Sequence, residues 1–142
     1  MTEWKTIVVG YDRTHASNKA LARAADLAEA ADALLVVTSS ARLLAGGATA
    51  HGLGPYDPAD TPDEHRGQLE HARELLELRK LQVEYDVEQG DPADAIVALA
   101  DKHDADLIVV GTHERSFLDR LLHGSVSEGV SRHAHCDVLV VR

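Results

Sequence analysis

Leu107-Ile108-Val109-Val110-Gly111, with Ala105-Asp106 before it and Thr112-His113 after it, is the stretch that decides the fold. Four apolar residues in a row, without polar alternation, describe a strand covered on both faces, and the glycine ends it where the chain turns out. Ile7-Val8-Val9-Gly10, Leu34 to Val37 and Val138 to Val141 repeat the pattern. Leu81 to Val87 differs: Leu81, Val83, Tyr85 and Val87 alternate with Gln82, Glu84 and Asp86, which predicts a strand with one wet face near a sheet edge.

Helical signals fall between the strands. From Ser17 the apolar residues recur as Leu21, Ala24, Ala25 and Ala28. Pro62, beside Asp63 and Glu64, opens a helix whose buried side is expected to be Leu69, Ala72, Leu75 and Leu76. Gly90-Asp91-Pro92 reads as a turn, an N-cap and an N1 proline, and the helix after it aligns Ala93, Ile96, Val97 and Ala100. Ser125 to Ala134 is the last predicted helix, with Ser125 and Glu128 spaced as a capping box. Strands alternating with helices imply parallel strands and right-handed crossovers, a doubly wound sheet in a single domain over 1–142. Residues 41–61, rich in glycine and alanine, have no steady period and are expected to be a mobile loop with a function.

The charge balance excludes several partners. With 24 acids against 14 bases the chain carries a formal charge of −10, so neither nucleic acid nor an anionic membrane is an expected partner. The excess is local: residues 57–91 hold eleven acids and four bases, whereas 107–142 carry four of each, and a phosphate site fits that final stretch. No apolar run approaches the ~20 residues that span a bilayer, and the start lacks a signal-peptide pattern; a cytoplasmic protein is expected. One cysteine, Cys136, allows no internal disulfide.

In a doubly wound sheet, ligands sit beyond the carboxyl ends of the strands where the strand order reverses. The loops to interrogate are therefore Gly10-Tyr11-Asp12, Thr38-Ser39 and Gly111-Thr112-His113. Gly124-Ser125 at a helix start supplies unpaired N–H groups and the positive end of a dipole, a phosphate cradle in outline. Asp12 is placed to accept from a ribose hydroxyl or an adenine amine. The plainer alternative is that Ser125 with Glu128 caps one helix and Asp12 another. His133-Ala134-His135-Cys136 has no second ligand pair facing it, which argues against structural zinc. His113 lacks a nucleophile elbow, and no G-x-x-x-x-G-K-[ST] is present, so no metal site and no catalytic constellation is expected.

Thr6 to Asp12, Gly90 to Ala93, Ala105 to His113 and Leu121 to Ser127 through Cys136 to Arg142 together resemble the universal stress protein family, a nucleotide-binding α/β group. The resemblance spans nearly the whole chain except the 41–61 loop. It implies a five-stranded parallel sheet in order 3-2-1-4-5 with helices on both faces. It further implies a homodimer paired through the C-terminal edge strand 137–142, which carries neither proline nor lysine.

Carried over by residue, the resemblance implies that Asp12 and the backbone of Gly10 and Tyr11 hold the adenosine, with Ser39 or Thr38 near adenine. Val110, Gly111 and Thr112 follow the ribose and α-phosphate, and Gly124, Ser125, Val126 and Ser127 take the phosphates. The implied ligand is ATP, with or without magnesium, or AMP or cyclic AMP. ATP-binding members show G-x-x-G, nine residues, then G-[ST]; Gly111-Thr112-His113-Glu114 and Gly124-Ser125 keep the register, but Glu114 replaces the second glycine. Asp12-Arg13-Thr14 likewise stands where the family usually has Asp-Gly-Ser. The expected function is a stress-response regulator that signals by nucleotide occupancy rather than turnover. The alternatives are an interaction module whose phosphate loop has degenerated at Glu114, a small hydrolase using His113, and a preference for cyclic or monophosphate nucleotides that tolerates Glu114.

Overall fold

The computed structural model describes residues 3–39, 62–88, 91–112 and 126–142. The expected loop at 41–61, His113, Glu114, Gly124 and Ser125 lie outside them, as does the side chain of Ser127. The elements are β1 (Thr6–Tyr11), α1 (His15–Ala31), β2 (Leu34–Ser39), α2 (Pro62–Leu76), β3 (Gln82–Asp86), α3 (Pro92–Lys102), β4 (Leu107–Gly111), α4 (Val126–His133) and β5 (Asp137–Val141).

The strands form one sheet in the order β3-β2-β1-β4-β5, and every neighbouring pair is parallel. Its two faces explain the unbroken apolar runs. Ile7, Val9, Tyr11, Leu35, Val37, Leu107 and Val109 point towards α1 and α2, while Val8, Val36, Ile108 and Val110 point towards α3 and α4. In the three central strands both sets are buried, so no position was left for a polar residue until the strand ends. Each fully buried valine or isoleucine there contributes roughly 1.5–3 kcal/mol. α1 lies close on the sheet because its inward stripe is small: Ala20, Ala24, Ala25 and Ala28.

The helix starts depart from the sequence reading in one place. α1 begins at His15, two residues before Ser17, because Thr14 is its N-cap and accepts a hydrogen bond from Ser17 N. At α3 the expected capping is present, Asp91 accepting from Ala93 N at 3.0 Å. On α2, Ala72 and Leu76 are buried as expected, but Leu75 is 50% exposed and Gln68 takes a buried place. The Ser39 hydroxyl donates to Gln68 Oε1, which lets an amide lie buried beneath the helix. Cys136 precedes β5 and is only half-buried; partial burial and the carboxylates of Asp137, Asp101 and Asp106 push its thiol up.

Candidate functional site

The chain leaves β1 through α1 towards β2 on one face, and α3 carries it from β3 to β4 on the other, so the strand order reverses between β1 and β4. A cleft opens at that point, beyond the strand ends. Gly10, Asp12, Thr14, Ala16 and Ser17 form one wall, and Val110, Gly111 and Thr112 the other, with Ile96 of α3 and Val126 of α4 completing it. This is where a sheet of this topology holds a ligand.

The β1 wall is fixed by side chains. Asp12 Oδ1 accepts from Thr14 N at 3.0 Å and from the Thr14 hydroxyl, Asp12 N donates to Ser17 Oγ at 3.1 Å, and Ser17 Oγ donates to Thr14 O at 3.1 Å. Asp12 thus braces the cap residue instead of capping the helix itself. Its Oδ2 takes no hydrogen bond among the described residues, which leaves an oriented acceptor on the cleft wall. Between these residues Arg13 has φ 67, the left-handed region in which glycine is at ease and other residues cost roughly 1–2 kcal/mol. An arginine thus holds a left-handed turn at a position where the resemblance has glycine.

The β4 wall is fixed by close packing. A Cβ on Gly111 would meet Ala16 O at 2.5 Å and Ala16 Cβ at 3.0 Å, so only glycine lets the end of β4 pass the start of α1. Thr112 N then donates to Val141 O at 2.9 Å, tying the turn to β5.

Of the residues singled out from sequence, Gly10, Asp12, Val110, Gly111, Thr112 and Val126 therefore meet in one cleft. Two others point elsewhere. The Tyr11 ring is wholly buried on the α1/α2 face, stacked 6.1 Å from His71, and its hydroxyl donates to Asn18 Oδ1 at 2.8 Å. Burial pushes its hydroxyl up to about 12, so only its backbone is available to the cleft. Ser39 faces Gln68 on that same side and does not line the cleft. Thr14, Ala16, Ser17 and Ile96 line it without having been singled out. Thr14 was findable, since a threonine two residues after a strand-end aspartate is a helix-start signal. Gly124 and Ser125 lie outside the described residues.

Among the described residues no group of three or more His, Cys, Asp or Glu side chains is placed to hold a metal, and no helix is long and apolar enough to cross a membrane.

Comparison with known proteins places this geometry. The sequence model of the universal stress protein family matches residues 3–142. The chain is 34% identical to universal stress protein MJ0531 of Methanocaldococcus jannaschii over 98% of its own length and 82% of that protein's. It is 35% identical to universal stress protein Rv1636 of Mycobacterium tuberculosis, over 99% of this chain and 98% of that one. Among solved structures, a universal stress protein in complex with cAMP superposes with a TM-score of 0.73 at 29% identity, covering 99% of this chain and 98% of the other.

Proposed function

The chain belongs to the universal stress protein family, and from that premise we propose that it is a stress-response regulatory protein that binds an adenine nucleotide in the cleft between β1 and β4. The observation that carries this reading is the cleft itself. It lies at the reversal of strand order, with bare backbone at Gly10 and Gly111, a braced carboxylate at Asp12 and the start of α4 at Val126. The relative bound to cAMP supports adenine as the base.

In this reading Asp12 Oδ2 accepts from the ribose or the adenine amine. Val110, Gly111 and Thr112 follow the ribose and first phosphate, and Gly124, Ser125, Val126 and Ser127 receive the phosphates. The ligand is ATP, with magnesium on its phosphates, or AMP or cyclic AMP. In this reading the protein signals by occupancy and not by turnover.

The reading includes a cytoplasmic homodimer. The two sheet edges differ: β3 carries Glu84 and Asp86, the latter 2.9 Å from Lys102 and 3.1 Å from His103. β5 instead shows half-buried Val138 and Leu139 and an exposed Val140. A second copy pairing along 137–142 covers that edge.

One feature favours a second reading. Glu114 stands in the sequence where the motif has its second glycine, a carboxylate in a motif that serves phosphates, and a chain that binds no nucleotide would be an interaction module on the same fold. A thermal-shift titration with ATP with and without magnesium, AMP and cyclic AMP separates the two. Nucleotide at ~100 times its dissociation constant adds about 2.7 kcal/mol, a rise of roughly 5–10 °C. No rise with any nucleotide, with binding gained in Glu114→Gly, selects the interaction module.

A further inference from the structure

Gly129 lies inside α4, where glycine is a poor helix former that adds freedom to the unfolded chain. The backbone there is regular helix, so no unusual conformation calls for it. What calls for it is room. A Cβ on Gly129 would stand 2.7 Å from Ala93 Cβ on α3, well inside the ~3.5–4.0 Å at which two carbon atoms rest.

The α3 side of this contact cannot yield. Ala93 is buried in one cluster with Ile96 and Val130, and its N–H donates to the N-cap Asp91 Oδ1 at 3.0 Å. The solvent side of α4 carries the exposed pair Glu128 and Arg132, 3.0 Å apart, so a crowded α4 moves outwards. What moves with it is part of the cleft. Ile96 comes one turn after Ala93, Val126 one turn before Gly129, and both line the cleft. Residues three apart lie on the same side of a helix, so the approach of Gly129 to Ala93 also fixes how near Val126 stands to Ile96.

We propose that Gly129 is a positioning residue for nucleotide binding: its missing side chain lets α4 close on α3, and that closure holds the start of α4 at the cleft. The inference rests on the nucleotide reading above, in which Val126 is among the residues that receive the phosphates. Gly129 acts through the helix, as a spacing of zero side-chain atoms between two walls.

The test measures affinity for ATP and for cyclic AMP by calorimetry, well below the melting temperature, in wild type, in Gly129→Ala and in the exchange variant Gly129→Ala with Ala93→Gly. Gly129→Ala is expected to weaken both nucleotides by about tenfold, the scale of one hydrogen bond to a charged group put out of place. Alanine is the better helix former, so this loss is expected without loss of cooperative melting. The exchange variant moves the methyl from one side of the contact to the other and is expected to restore both affinities to within about threefold of wild type. A glycine with a merely structural role would change the melting temperature and leave the affinities as they were. Unchanged affinity in Gly129→Ala, or a folded exchange variant that binds as weakly as Gly129→Ala, overturns the assignment and leaves the nucleotide reading intact. If Gly129→Ala alone does not fold, the exchange variant decides against wild type: equal affinity upholds the assignment and weakened affinity overturns it. Wild type that binds neither nucleotide overturns both readings.

Discussion

The two walls of the cleft are built on opposite principles. The β1–α1 wall is held by a closed set of side-chain hydrogen bonds among Asp12, Thr14 and Ser17, and it accommodates a left-handed arginine at its centre. The β4 wall has no such network; Gly111 lies against the backbone of Ala16, and no larger residue fits. The difference teaches that glycine serves the first wall by conformation, which a hydrogen-bonded turn can impose on another residue, and the second by size, which nothing can replace. Substitution should accordingly be tolerated on one wall and not on the other.

The largest effect is expected at Gly111→Ala. Its Cβ would press on Ala16 O, a backbone atom at the start of a helix, so relief requires moving α1 or β4. Overpacking of this kind costs up to about 3 kcal/mol, read as a lower midpoint in urea, and the nucleotide response falls with it. Thr14→Ala comes next, because it removes the N-cap and the hydroxyl that Asp12 holds. A loss of about 1–2 kcal/mol in the same assay is expected, and a loss as large as that at Gly111 would break the contrast.

Tyr11 sharpens it from behind the first wall. Burial holds its hydroxyl protonated up to about 12, above the ordinary value of 10. The folded state then keeps a proton that the unfolded state releases, so this contribution is complete below pH 10 and is lost as pH rises towards 12. Urea midpoints between pH 9 and 12 should fall more steeply for wild type than for Tyr11→Phe; parallel curves would remove Tyr11 from the account. Arg13→Gly gives the smallest change. Relief of the left-handed backbone is partly offset by the added freedom of glycine in the unfolded chain, leaving a gain of about 0.5 kcal/mol. A clear loss instead would mean that the arginine side chain holds the turn.

The same contrast explains how much was legible in the sequence. The apolar runs, the glycine at the end of β4, Pro62 and Asp91-Pro92 act through backbone chemistry or burial on both sheet faces, and they gave the strands, the order of elements and the location of the cleft. Gly10, Asp12, Gly111 and Thr112 follow from that location. What stayed hidden depends on which tertiary neighbour a side chain finds. Tyr11 and Ser39 were readable as strand-end residues, but strand alternation sends both to the α1/α2 face, where His71 and Gln68 wait. Leu75 fits the helical stripe and is exposed all the same, since that stripe is shared with a buried glutamine.

The most direct test of the central claim is amide chemical-shift mapping of the isotopically labelled protein titrated with cyclic AMP. The account predicts saturable shifts at Gly10, Asp12, Gly111, Thr112 and Val126 from both walls together, with Glu84 and Asp86 at the β3 edge unmoved. No shifts at saturating nucleotide, or shifts centred on the β3 edge, would contradict it.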